Sequence, residues 1–281
     1  MERETEGIAR FADLASRNLR MRYEEDGVGD PLILIHGGGM TGRLMWSEQI
    51  PVFAEHFRVI APDSRGHGGT HNPAGELSYR AMAEDVIALM DALEIERAFY
   101  YGYSDGGNIG LELGMRFPDR VVALALGGVV FKFSPSYFAA LKRQHGIDRV
   151  ETDEDLEAFQ RALPKNMREH VLARHTHTGP ETWQDMVLQI ARLQTTPLHY
   201  SVNDLAQVIS PTLVMTGDRD AFLPVEETVE LYRLLPNAEL LVLPNCDHMP
   251  WAPFTEHALR FLLRVRDEHP ALIPTPGTGG T

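Results

Sequence analysis

The sequence predicts an α/β fold: a mostly parallel central sheet with helices on both faces, interrupted late by a helical cap insertion. Short apolar runs without alternation, bounded by Gly or Pro, recur along the chain, as strands buried on both faces of a parallel sheet require. Amphipathic stretches separate them, and strand–helix alternation of this kind argues for a parallel sheet covered on both sides. One long stretch, 131–204, has helix-like patterns and no convincing strand.

The elements follow in order. Residues 7–25 read as two short strands around the polar turn Ala15-Ser16-Arg17-Asn18, and Asp26 to Pro31 is dense in turn formers. Apolar runs place strands over 32–35, 57–61, 98–101, 121–126, 212–216 and 239–243. Helices are expected over 45–55, 78–93, 105–117, 225–235 and 254–268. In the second of these, Met82, Val86, Leu89 and Leu93 recur at helical spacing and form one buried stripe. The core is therefore expected to comprise 1–130 and 205–268, with the cap over 131–204. Cap residues Phe131, Phe133, Tyr137, Phe138, Phe159, Met167, Trp183 and Met186 are expected mainly to pack against their own helices, and the cap to wall a pocket. The tail over 269–281, rich in Pro and Gly, is expected to be disordered.

Composition narrows the function classes. The 281 residues are 43% hydrophobic and 23% charged, with no apolar run of membrane-spanning length. A formal charge of −14 repels phosphate backbones and anionic lipid, so neither nucleic acid nor a membrane surface is an expected partner. The single cysteine, Cys246, excludes an internal disulfide and a multi-cysteine metal site. Met1 to Arg20 alternates charges and lacks an apolar core, so it does not read as a secretory signal, and a cytoplasmic location is the default expectation. Homo-oligomerisation is left open.

Chemistry concentrates in the turns after the strands. Gly102-Tyr103-Ser104-Asp105-Gly106 carries the pattern Gly-x-Ser-x-Gly between a buried strand and a helix. A serine on so sharp a turn needs small residues two before and two after it, so that strand and helix can approach. A serine hydroxyl is a weak nucleophile without a base, and the base needs an orienting acid. His248, in Cys246-Asp247-His248, follows the last strand and precedes the final helix, which distinguishes it from the other eleven histidines. After strand 212–216, Asp218 and Asp220 compete for the acid. Asp220 is preferred because it lies beyond the turn and can reach across the sheet edge, leaving Asp218 to stabilise the turn. Two backbone amides should hold the oxyanion: that of Asp105, and that of Gly38 in His36-Gly37-Gly38-Gly39. No Gly-Lys-Ser/Thr follows those glycines, which argues against a phosphate loop.

These motifs, with Asp63-Ser64-Arg65-Gly66-His67-Gly68 and Gly217-Asp218-Arg219-Asp220, resemble the α/β-hydrolase superfamily over roughly residues 12–268. The resemblance implies an α/β-hydrolase fold and a catalytic triad of Ser104, His248 and Asp220. It places the acid at the fourth residue of Gly-x-x-Asp and treats Arg65 and His67 as scaffold. It implies no metal and no organic cofactor. A serine rather than an aspartate at 104 argues against the haloalkane dehalogenase and epoxide hydrolase branches. The expected function is serine esterase activity on a small carboxylic ester through an acyl-enzyme. Lactonase, carbon–carbon hydrolase, aminoacyl ester hydrolase, cofactor-free perhydrolase and a receptor-like relative without turnover remain alternatives. The Ser-Asp-Gly-Gly string resembles hydrolases of α-amino acid esters, in which the Asp105 carboxylate would pair with a substrate ammonium. Alternatively, that carboxylate only complements the helix dipole.

Overall fold

The structure, a computed structural model, describes residues 9–145, 152, 154, 155, 157, 161, 167–176, 183–198, 200–248 and 251–270. Its strands are β1 (Arg10–Leu14), β2 (Leu19–Asp26), β3 (Pro31–Ile35), β4 (Arg58–Pro62), β5 (Ala98–Tyr103), β6 (Val121–Gly127), β7 (Thr212–Gly217) and β8 (Ala238–Leu243). They form one sheet in the order β1-β2-β4-β3-β5-β6-β7-β8. The β1–β2 and β2–β4 pairs are antiparallel and every other pair is parallel. The expected hairpin turns through Asn18, whose left-handed φ of 47° suits an asparagine.

The helices are α1 (Gly42–Trp46), α2 (Gln49–Ala54), α3 (Tyr79–Ala92), α4 (Asp105–Arg116), α5 (Pro135–His145), α6 (Met167–Arg174), α7 (Trp183–Thr195), α8 (Val202–Leu205), α9 (Val225–Leu234) and α10 (Trp251–Glu268). The single helix expected over 45–55 is two, α1 and α2. Pro51 has no N–H to return to a preceding carbonyl, so it fits only in the first turn of a helix, which restarts at Gln49. The last helix begins three residues earlier than expected, at Trp251, because Pro253 is likewise accommodated in a first turn. Ser78 caps α3 by accepting a hydrogen bond from the Ala81 amide at 3.1 Å.

The unalternating apolar strands have a simple packing reason. Ile33 and Ile35 of β3 join Tyr100, Leu124 and Leu126 in a core that also contains Met82, Val86 and Leu89 of α3. Leu32 and Leu34 point the other way, into a core with Phe99, Tyr101, Trp46, Phe53 and Phe261. Both faces of each central strand are buried, so each position needs an apolar side chain.

Between β6 and β7 the described residues form α5, α6, α7 and α8 and no strand. Val130, Tyr137, Leu141, Leu188 and Ala191 make a separate small cluster there, with Phe133, Phe138 and Phe222 against it. Phe131 instead joins the main core. Phe159 lies outside the described residues, as does the tail from 271 onward. No helix among the described residues is long and apolar enough to cross a membrane.

Strand order reverses at β3: β4 lies on one side of it and β5 on the other. In an open parallel sheet the crevice beyond the strand ends at such a reversal is where ligands bind. His36 to Gly39 leave β3 there and Ser104 leaves β5.

Candidate active site

Ser104 sits between β5 and α4 with φ 55° and ψ −121°, a backbone conformation rare for any residue with a side chain. Holding it costs on the order of 1–3 kcal/mol, which the surrounding contacts must offset. Those contacts explain the flanking glycines. A Cβ on Gly102 would lie 2.1 Å from the Gly106 carbonyl oxygen, and one on Gly106 would lie 2.0 Å from that of Ile35. Strand, helix and β3 are packed backbone against backbone. The Ser104 amide donates to Gly127 at 2.8 Å, tying the turn to β6 as well.

His248 stands after β8, with Nε2 3.1 Å from Ser104 Oγ and Nδ1 2.8 Å from Asp220 Oδ2. The Asp220 side chain is fully buried. Its other oxygen accepts from the amides of Phe222 and Leu223 at 2.9 and 3.1 Å, which orients the carboxylate toward the imidazole. Asp218 is engaged elsewhere, accepting from the Asn245 amide at 2.6 Å and so holding the two loops together. Asp220 rather than Asp218 is thus the carboxylate brought to His248. Phe222 and Tyr103 pack edge-on against the His248 ring, with centroids 4.8 and 5.7 Å away.

Gly38 and Asp105 line the same cavity as Ser104 and His248, with a volume of about 250 Å³. Neither amide donates to a protein acceptor among the described residues. The Asp105 amide is one of the donors that the first turn of a helix leaves unsatisfied. The orientation of the Gly38 amide is set from the far side of its own peptide. His36 Nε2 accepts from the Ser64 amide at 2.9 Å, so the ring proton is on Nδ1 and is donated to the Gly37 carbonyl at 2.8 Å. The Met40 amide donates to the same carbonyl at 3.2 Å. The Gly37–Gly38 peptide is trans, so the Gly38 N–H points opposite to that held carbonyl. Burial pushes the His36 pKa down to about 4, against the opposing hydrogen bond to the Gly37 carbonyl, which keeps the ring neutral and its single proton in place.

The Asp105 side chain is the least expected part of the site. Its Oδ1 accepts from the Tyr79 hydroxyl at 2.9 Å and its Oδ2 from Gln194 Nε2 at 3.1 Å. Burial raises the Asp105 pKa, against the opposing pull of those two hydrogen bonds and of His248. A Cβ on Gly38 would lie 2.3 Å from Asp105 Oδ2, so a glycine is required for the carboxylate to sit over the loop. Sequence reasoning singled out neither Tyr79 nor Gln194. The first is the initial residue of α3 and the second lies on α7, and nothing in their local pattern distinguishes them from core and surface residues.

The remaining singled-out residues serve the frame. Arg65 forms a two-pronged pair with buried Asp85 of α3, Nε to Oδ2 and Nη2 to Oδ1. His67 packs its ring against His36 at 5.0 Å. Among the described residues no group of three or more His, Cys, Asp or Glu side chains is arranged to hold a metal ion.

Comparison with known proteins decides the lineage, since the family described as alpha/beta hydrolase fold matches residues 30–251. The chain belongs to that family. Among its relatives, a 2-hydroxymuconate semialdehyde hydrolase of Pseudomonas putida is 30% identical over 272 residues, covering 91% of this chain and 92% of its own. A 2-hydroxy-6-oxo-6-phenylhexa-2,4-dienoate hydrolase of Burkholderia cepacia is 28% identical, with 87% and 89% covered. Among solved structures, the enol-lactonase from Burkholderia xenovorans LB400 superposes with a TM-score of 0.67 at 25% identity, covering 90% of this alpha/beta hydrolase and all of that chain.

Proposed function

We propose that this alpha/beta hydrolase is a serine esterase that cleaves a small carboxylic ester through an acyl-enzyme. The observation that carries the reading is His248 bridging the Ser104 hydroxyl and the Asp220 carboxylate at 3.1 and 2.8 Å. His248 Nε2 takes the Ser104 proton as Oγ attacks the carbonyl carbon. The resulting oxyanion accepts hydrogen bonds from the Gly38 and Asp105 amides. Collapse of the tetrahedral adduct breaks the ester C–O bond, and His248 returns the proton to the leaving alcohol. Water, deprotonated by the same imidazole, then attacks the acyl-enzyme; the acyl–Oγ bond breaks, the acid leaves, and His248 returns the proton to Ser104 Oγ. Asp220 holds the imidazole in the tautomer this requires and stabilises its cation.

The relatives' names favour carbon–carbon bond hydrolysis of dienoate-type acids as an alternative. The charge around this cavity argues against transferring that substrate class. The described lining contains no Lys or Arg, and the buried Asp105 carboxylate would repel an acid. The same carboxylate favours a narrower form of the ester reading, in which the acyl group carries an ammonium that pairs with it. Its two hydrogen bonds come from uncharged donors, so a substrate ammonium would be its first charged hydrogen-bond partner.

Ser104→Ala should abolish turnover of p-nitrophenyl acetate while leaving the thermal melting curve intact; retained turnover overturns the ester reading. With Asp105→Asn, kcat/KM for p-nitrophenyl esters of α-amino acids should fall about 10- to 100-fold relative to p-nitrophenyl acetate. An unchanged ratio refutes the ammonium pairing. Faster cleavage of a 2-hydroxy-6-oxo-dienoate than of any ester in the panel would favour the alternative.

A further inference from the structure

We infer that His175, contributed by the helical segment between β6 and β7, is a positioning residue for the loop that carries the Gly38 amide. The inference rests on the proposed role of that amide. His175 follows α6 directly and its residue is only 1% exposed. The Gly68 amide donates to its Nδ1 at 2.8 Å. An amide can only donate, so that nitrogen carries the lone pair and the ring proton is on Nε2. Nε2 lies 3.3 Å from the Gly39 carbonyl oxygen and donates to it.

Gly37 and Gly39 therefore both have their carbonyls held by a neutral imidazole, His36 on one side of Gly38 and His175 on the other. The rings are mechanically connected. His67 packs against His175 at 5.8 Å and against His36 at 5.0 Å, both edge-inclined. The next residue, Thr176, donates its hydroxyl to the Gly68 carbonyl at 3.4 Å, so both backbone groups of Gly68 are engaged by this one corner. His36 belongs to the loop it orients, whereas His175 arrives 136 residues later in the chain. The loop's final geometry thus depends on the docking of α6.

The bonds of His175 to Gly68 and to Gly39 can be removed separately. The Asn side-chain oxygen occupies the position of Nδ1 and keeps the bond from Gly68, whereas the Gln side-chain nitrogen occupies that of Nε2 and keeps the bond to Gly39. The readout is the rate at which a fluorophosphonate phosphonylates Ser104, followed by intact-mass spectrometry, because its P=O oxygen must enter the same amide pair. Turnover of p-nitrophenyl acetate and thermal melting are measured in parallel. His175→Asn should label about three- to tenfold more slowly and lose kcat by the same factor, with KM changed less than twofold. His175→Gln should stay within twofold of wild type in both rates.

Equal labelling rates in wild type and His175→Asn overturn the inference. So does a pattern in which rates track melting temperature and His175→Gln is no better than His175→Asn, since that is the signature of a purely structural clip. Failure of the underlying reading looks different: wild type itself is not labelled at Ser104.

Discussion

The turn at Ser104 carries the Asp105 carboxylate and the helix carrying Gln194 hydrogen-bonds to it, and the two are built differently. Around Ser104 the constraints are backbone against backbone: Gly102 on Gly106, Gly106 on Ile35, and the Ser104 amide on Gly127. On α7 the contribution is a single side chain ending in one 3.1 Å hydrogen bond. Geometry that must be held to a few tenths of an ångström comes from the sheet ends, where few substitutions fit. Apart from the corner at His175, which holds the Gly39 carbonyl, the helices between β6 and β7 supply side chains such as Gln194 that can change without disturbing that frame, and they are where selectivity is expected to reside.

The sharpest way to break this division is to alter a side chain within the frame. Asp220→Asn should lower kcat for p-nitrophenyl acetate on the order of 10³-fold or more, because the amide no longer selects the required imidazole tautomer. Asp218→Asn should stay within about threefold of wild type, since Asp218 meets the Asn245 amide and not the imidazole. Equal losses in the two variants would contradict the assignment of the acid.

Gly106→Ala tests the backbone packing itself. A methyl group there has no room beside the Ile35 carbonyl, and urea unfolding should report a loss of about 3 kcal/mol. A variant of undiminished stability would mean that the three backbones can separate at little cost.

The pH dependence of stability probes the frame without mutation. The folded-state pKa of His36 is about 4, below its ordinary value of 6.5, so the unfolded chain binds more protons in between. Its contribution is complete above pH 6.5 and is lost as pH falls through 4, amounting to about 3 kcal/mol across that window. The slope between pH 6.5 and 4 should flatten in His36→Gln. An unchanged slope would assign the acid sensitivity to other groups.

The smallest expected effect lies on the other side of the comparison. Gln194→Leu should change KM for an aminoacyl ester about two- to tenfold, with kcat for p-nitrophenyl acetate nearly constant. A comparable fall in kcat would mean that α7 shares in positioning the reacting groups.

What the sequence made readable follows the same division. Ser104, Gly38 and the strands around them are announced by short contiguous patterns, because backbone crowding at a turn demands particular residue types at adjacent positions. Asp220 was harder to separate from Asp218, which lies two residues away on the same loop; the distinction rests on which carboxylate faces back across the sheet. Tyr79, Gln194 and His175 were not legible as site residues. Tyr79 and Gln194 meet the Asp105 carboxylate from 26 and 89 positions away, and His175 meets Gly68 and Gly39 from 107 and 136 positions away; such pairings leave no local pattern. The break between α1 and α2 was missed because the apolar spacing runs on through Pro51, whose missing N–H outweighs it.

The 144 residues separating Ser104 from His248 also have a temporal meaning. The strand and helix that shape the serine turn are consecutive, so that turn can form early, while the imidazole belongs to a loop that exists only after β8 has been laid down at the sheet edge. Until then no imidazole stands beside the serine hydroxyl. Recovery of hydrolase activity during refolding is accordingly expected to lag behind burial of the central aromatic residues, which makes catalysis a clock for the completion of the last parallel strand.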